Sequence, residues 1–477
     1  MEKSIKHSLQ RGLLLSSILM SGMGLSLPGY ASERSAAVSH LAEAIQFETI
    51  SYQDRSQIDY SEFLAFHEFL KETYPLTFSA LKVETVANYS LVLTWMGTEP
   101  ELKPVLMDSH YDVVPIEPGT EEDWVQPPFG GAVGDGYLWG RGALDDKASV
   151  IATLEAIEAL LKEGFKPQRT LLFSFAHDEE IGGDDGAANI VKHLKAQNIQ
   201  LEYMIAEGGL ILEGNPLVPG RDMAMIGLAE KTYVTLTLKA KGEGGHSSMP
   251  VEDNAVVRLA SAITRLHENP FEPELMPPVS DMLKIVGKEL GGVKGFVMEH
   301  QWLTEPVLLS ILEKQPTTNA MIRTTTAVTM FDAGIKENVI SQQAQAKVNF
   351  RLMPGFTQEQ LIEAVTEIID DDQIVIESKQ WQKGPPVADI NGEGYTRVKG
   401  AINEAYPGAL VTPSMLTATT DSPHYVGLAP NIYRFHPFSL PMADTKTIHS
   451  TNERISLEAV DRSVVVSRAL IKASARP

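Results

Sequence analysis

The sequence contains no cysteine in its 477 residues. Disulfides, thiolate metal ligands, a cysteine nucleophile and a cysteine-linked lipid are all excluded. An exported chain of this kind suits a bacterial periplasm at least as well as an oxidising extracellular space. Basic residues are also scarce, with 40 Lys and Arg against 62 Asp and Glu and a formal net charge of −22. That sign favours solubility and disfavours nucleic acid, which is bound through a basic stripe. Long apolar runs are missing after the first thirty residues. At the start, "MEKSIKHSLQR" is mildly basic, "GLLLSSILMSGMGLSL" is apolar, and small residues stand at Gly29 and Ala31. This is the order of a secretory signal over residues 1–31, cleaved near Ala31, and its apolar run is short for a spanning helix. A periplasmic or secreted location is expected. Loss of Lys3, Lys6, Arg11 and Glu2 with the signal moves the net charge from −22 to −24.

What remains has the composition of a soluble globular protein, 43% hydrophobic and 21% charged, and is too long for one ordinary core. The runs "PVLM" (104–107), "TLLFSFA" (170–176) and "EYMIA" (202–206) read as strands buried on both faces. Between the first two, Val150, Leu154, Ile157 and Leu161 recur at helical spacing, with Gly164 as terminator. Strand, helix, strand, helix (187–197), strand implies an α/β layer with a mostly parallel sheet. From residue 232 the pattern changes to alternation, in "TYVTLTLKAKG" and "QAQAKVNFRLMPG", accompanied by two amphipathic helices and an edge strand "IVIES". We read a first part of the α/β unit over 32–231, an inserted α+β unit over 232–383, and the rest of the α/β unit over 384–477. Residues 270–330, rich in proline, read as an insertion within the inserted unit.

The chemistry-bearing residues collect at the exits of the buried runs. His110 and Asp112 follow "PVLM", Glu179 and Glu180 follow "TLLFSFA", Glu207 follows "EYMIA", and Asp145 precedes the long helix. In open α/β sheets ligands bind outside the carboxyl ends of the strands, so these segments should share one crevice. Taken singly each has an ordinary alternative: a turn, a solvated acidic pair, or, for Asp145 or Asp146, a helix cap. Together the carboxylates would repel unless cations joined them. Histidine and carboxylate without thiolate is a zinc-type donor set. Asp112 suits a place behind His110, holding its far N–H, and "TIHSTNERI" offers His449 as a further neutral ligand.

In order, "SHYDVVP", "GRGALDDK", "DEEIGG", "EGG", "GHSSMP" and "IHSTNERI" resemble the zinc peptidase family of carboxypeptidase S, aminoacylase, acetylornithine deacetylase and glutamate carboxypeptidase. The likeness runs from about residue 40 to 470 and is strongest to the carboxypeptidase S and N-acyl-amino-acid hydrolase branch. It implies a catalytic domain with two Zn²⁺ per chain and an inserted lid that often forms a homodimer. By the same resemblance Asp145 would bridge the metals, His110 and Glu207 would complete one site, and Glu180 and His449 the other. Glu179 matches the general base. His246 matches a lid histidine that stabilises the oxyanion, often of the neighbouring subunit. Asn338 and Arg351 match residues that hold the substrate carboxylate. In "TDSPHY", Pro423 stands where the family pattern has arginine. The expected reaction is hydrolysis of an amide next to a free α-carboxylate, in a short peptide or an N-acyl amino acid. A binding protein that kept the fold but lost catalysis would lack a ligand or the base, and none is missing. A two-metal phosphoesterase would want a phosphate-cradling Gly-rich loop, and none is visible.

Overall fold

The computed structural model describes residues 34–379 and 382–477, so the signal read over residues 1–31 lies outside the described residues. The strands Val105–His110 and Leu171–Ala176 are buried at every position. They pair in parallel, and Val105–His110 also pairs in parallel with Met204–Ala206, which continues in parallel to Ile432–Arg434. Alternation along them feeds two cores. Val105, Met107, Leu171 and Phe173 face a cluster containing Val150, Ile151, Leu154 and Ile157 of the helix Lys147–Lys162. Leu106, Leu172 and Met204 face Ile190, Val191 and Leu194 of the helix Ala187–Ala196. Helices therefore cover both faces, the arrangement that buried parallel strands require. The long helix ends as expected, with Gly164 left-handed at φ 71°.

Among the described residues the sheet has ten strands and is parallel at its centre. Antiparallel pairs extend it on both sides. Ser90–Trp95 pairs with Leu171–Ala176 and with the edge strand Lys82–Val86, while Met223–Glu230 pairs antiparallel with Ile211–Glu213 and parallel with Leu410–Leu416.

A separate four-stranded sheet lies in the order Thr325–Ala333, Gln343–Leu352, Thr232–Lys241, Ile374–Ser378. All its pairs are antiparallel. Its inward residues Val234, Leu236, Leu238, Val348 and Phe350 share a core with Leu259 and Leu266 of the helix Ala255–Glu268, and with Leu361 and Val365 of the helix Gln358–Ile369. "IVIES" is an edge strand, as read from the sequence. The stretch 270–330 is more than an insertion, because its end supplies the other edge strand, Thr325–Ala333. Before it run the helices Val279–Leu290, Gly292–Glu299, Gln301–Leu312 and Pro316–Ala320. No helix among the described residues is long and apolar enough to cross a membrane.

Candidate active site

The strand exits do converge. His110 is the last residue of its strand, Glu179 and Glu180 open a short turn just after the neighbouring strand, and Glu207 directly follows Met204–Ala206. The contacts centre on Asp145. Its Oδ1 is 3.0 Å from His110 Nε2, and its Oδ2 is 3.0 Å from His449 Nε2. One carboxylate thus spans two histidines from opposite ends of the chain. Glu207 Oε2 lies 3.3 Å from His110 Nε2, and Glu180 Oε2 lies 3.2 Å from His449 Nε2. Glu179 Oε2 is 3.9 Å from His110 Nε2, next to the cluster but at hydrogen-bond distance from neither histidine.

Asp112 holds this arrangement from behind. His110 Nδ1 lies 3.1 Å from its backbone oxygen and 3.3 Å from its Oδ1. The same carboxylate accepts the backbone N–H groups of Glu179 and Glu180, each at 3.2 Å. A single buried aspartate therefore fixes both the imidazole and the acidic pair.

The electrostatics follow from crowding. Burial, and then the charge of Glu207, pushes the Glu179 carboxyl well above the usual range. Burial and Asp145 raise Glu180 to about 7. Burial works against ionisation of Asp145, but hydrogen bonds from His110 and His449 hold its carboxyl down. Hydrogen bonds to Asp145 and then Glu180 raise His449 to about 10. His110, Asp145 and Glu180 each present a ligand atom within 4.8 Å of one another, as do His110, Asp146 and Glu207. Glu180 Oε1 and both Asp146 oxygens are buried without a hydrogen-bond partner. Nitrogen and carboxylate donors in two overlapping groups, with unsatisfied buried oxygens among them, fit divalent metal of zinc type.

The second sheet's candidates stand elsewhere. His246 and Asn338 are exposed neighbours on a two-stranded ribbon, where His246 pairs with Val339 and the Ser247 N–H donates to Asn338 O at 3.2 Å. Neither touches the His110–His449 cluster. Arg351 is half-buried; its Nη1 donates to Thr419 Oγ1 at 3.0 Å and its guanidinium lies 4.7 Å from the Tyr233 ring centre. Pro423 is buried in the turn Ser422–Tyr425.

Sequence reasoning missed three residues and met a fourth, Asp421, only as part of "TDSPHY". Asp146, read as an alternative helix cap, occupies the N-cap position without a side-chain cap bond, and its carboxylate instead faces His436. His436 lies just beyond the strand Ile432–Arg434, so the strand-exit rule could have found it. Glu453 is fully buried and accepts from Arg141 Nη1 at 2.6 Å and from the Leu144 and Asp145 N–H groups at 2.8 and 3.3 Å. It ties the His449 segment to the Asp145 loop. Asp421 is buried against Gly183, where a Cβ would lie 2.0 Å from its Oδ1, so only glycine allows the approach.

Residues 106–473 match the peptidase family M20/M25/M40. The chain belongs to that family. This M20 chain is 39% identical over 437 residues to "Probable carboxypeptidase S-like 2" of Dictyostelium discoideum, covering 91% of this chain and 84% of that one. It is 37% identical to "N-fatty-acyl-amino acid synthase/hydrolase PM20D1" of Xenopus tropicalis, covering 93% and 86%. Among solved structures, the M20 family metallo-carboxypeptidase Sso-CP2 from Sulfolobus solfataricus superposes with a TM-score of 0.67 at 18% identity, covering 92% and 99%. Human carnosine dipeptidase 1 gives 0.65 at 16%, covering 92% and 96%. These two likenesses speak for the fold. Membership makes the M20 chain a hydrolase of the metallopeptidase type.

Proposed function

We propose that this chain is a two-zinc amidohydrolase that cleaves the amide next to a free α-carboxylate, as a carboxypeptidase of short peptides. The observation that carries the reading is Asp145, one oxygen on His110 and the other on His449. His110 and Glu207 would hold one ion, Glu180 and His449 the second, with Asp145 shared. Zinc held there would supply the positive charge that lets these carboxylates ionise together and the Lewis acidity that polarises the scissile carbonyl. Glu179, buried beside the cluster and unpaired with either histidine, takes a proton from the attacking water and delivers it to the leaving amine nitrogen. Arg351 holds the substrate carboxylate, and the second sheet with its helices acts as the lid. His246, exposed on this chain, would serve a neighbouring subunit's site in a homodimer. The N-terminal signal sends the enzyme to the periplasm or outside the cell.

Removal of an acyl group from an N-acyl amino acid is the second reading. It presents the same bond and carboxylate, and it is supported by the N-fatty-acyl-amino acid hydrolases at 34–37% identity. The test is elemental analysis of purified protein with hydrolysis of paired blocked dipeptides and N-acyl amino acids. About two zinc ions per chain are expected, lost with activity on chelation. Asp145→Ala should bind neither ion; full metal content in that variant would overturn the assignment.

A further inference from the structure

His436 is buried within the catalytic half, and no step of the proposed reaction uses it. Its ring is held on three sides. Nδ1 lies 3.1 Å from Asp146 Oδ1 and 3.1 Å from Ser149 Oγ. The ring of Phe438 stacks against it with centroids 5.1 Å apart and planes at 28°. Its backbone N–H donates to Gly209 O at 2.6 Å, and the Phe435 N–H donates to Ala206 O at 2.7 Å, so the segment is laced to both sides of Glu207. What remains is Nε2, and Nε2 faces Glu207 Oε2 at 4.0 Å. This is the oxygen that also approaches His110. Asp146, fully buried, has neither oxygen in a well-formed hydrogen bond. Two buried polar side chains that the proposed ion sites do not use thus line up behind one carboxylate.

We propose that Asp146 and His436 are a positioning pair for Glu207. Asp146 accepts a hydrogen bond from Nδ1–H and sets the ring, and Nε2–H, at 4.0 Å still beyond hydrogen-bond length from Glu207 Oε2, would close on that carboxylate and restrain its orientation toward His110. Partners of this kind behind a metal-binding group fix its orientation and raise its affinity. The inference rests on the reading of a two-zinc centre, and it adds an asymmetry. Only the ion held by His110 and Glu207 depends on the pair; the one held by Glu180 and His449 does not.

Calorimetric titration of the metal-free full chain with zinc tests this without reference to turnover. Two binding events are expected for the wild type, assigned through Glu207→Gln and Glu180→Gln. His436→Ala should weaken the Glu207-dependent event by about 10- to 100-fold and leave the other unchanged. In His436→Gln the amide nitrogen can still reach Glu207, so most of the affinity should return. Asp146→Asn should weaken the same event in the wild-type background and add nothing to His436→Gln, because the link is already cut there. Equal weakening of both events, no weakening, or a glutamine variant no better than alanine would overturn the pair. If the alanine variant does not fold, the glutamine variant, close in shape to histidine, still has to keep its Glu207-dependent event near the wild-type affinity, and its loss would overturn the pair. An Asp146→Asn effect of the same size in both backgrounds would make Asp146 a ligand in its own right and overturn its role through His436. A wild type showing no zinc binding would instead fail at the earlier step, removing the two-zinc reading and this inference with it.

Discussion

Glu179 and Glu180 are adjacent, hang from the same aspartate through their backbone N–H groups, and differ in where their oxygens go. Glu180 reaches His449, whereas Glu179 stands free of both histidines at hydrogen-bond range. The difference sets their expected behaviour. Glu179→Gln should keep the fold and both metal ions while turnover falls by about 10²–10⁴-fold, the size of a general-base contribution. Glu180→Gln should weaken metal binding instead. Zinc content and kcat measured side by side decide between these roles, and the reverse pattern would exchange them. Both residues were legible in the sequence because a carboxylate pair soon after a mainly apolar run is a conspicuous break. Asp146 was not, since an acid before a helix reads as a cap and its alternative partner lies nearly three hundred residues away.

At the level of elements, the two central strands could be read because each begins with an unbroken apolar run, Val105–Met107 and Leu171–Phe173, as burial on both faces favours. Ile432–Arg434 has three residues, too few for any period, and its place beside Met204–Ala206 is a long-range pairing that no local pattern encodes. Thr325–Ala333 was lost for another reason. Its register slips between Val328 and Met330, and it exposes Val328, Met330 and Phe331, so alternation gives no inside face. The short strand also carries Arg434, fully buried with its Nε 2.7 Å from Glu230 Oε2, at the end of Met223–Glu230. Taking away one partner leaves a buried charge alone, which costs about 3–5 kcal/mol, whereas replacing both by apolar groups is often nearly neutral. Arg434→Met should therefore lower stability in denaturant by about 3–5 kcal/mol, and Arg434→Met with Glu230→Leu by clearly less. A double variant as unstable as the single one would mean the pair is not the cause.

At the scale of the whole molecule, the two sheets meet around Lys231 and Arg351. Lys231 is fully buried between the strand ending at Glu230 and the one starting at Thr232, with its Nζ donating to Ala320 O at 3.0 Å and Arg323 O at 2.7 Å. Burial, helped by the nearby Arg351, lowers its ammonium from 10.5 to about 7. Between those values the unfolded chain holds the proton more tightly than the folded one, so this group's contribution makes stability rise with pH across that window. Lys231→Met should flatten that rise, measured as the difference in melting temperature of metal-free protein between pH 7 and pH 9; an unchanged slope would locate it elsewhere. Arg351 bridges the sheets through Thr419, two residues before Asp421. Its planar fork can grip a carboxylate in a way an ammonium cannot. Arg351→Lys should thus lose kcat/KM on free-acid substrates, cost little on amidated analogues and leave zinc content unchanged. The same free-acid to amide ratio in wild type and variant would place the carboxylate grip on another residue.

The positions of His110 and His449 also order events in time. The ribosome delivers the first histidine early and the second 339 residues later. Until then Asp145 has one of its two imidazole neighbours and Glu180 has none. A growing chain offers His110 without His449, so the cluster is complete only once His449 has been made. Metal supply therefore matters when folding ends, rather than when synthesis begins.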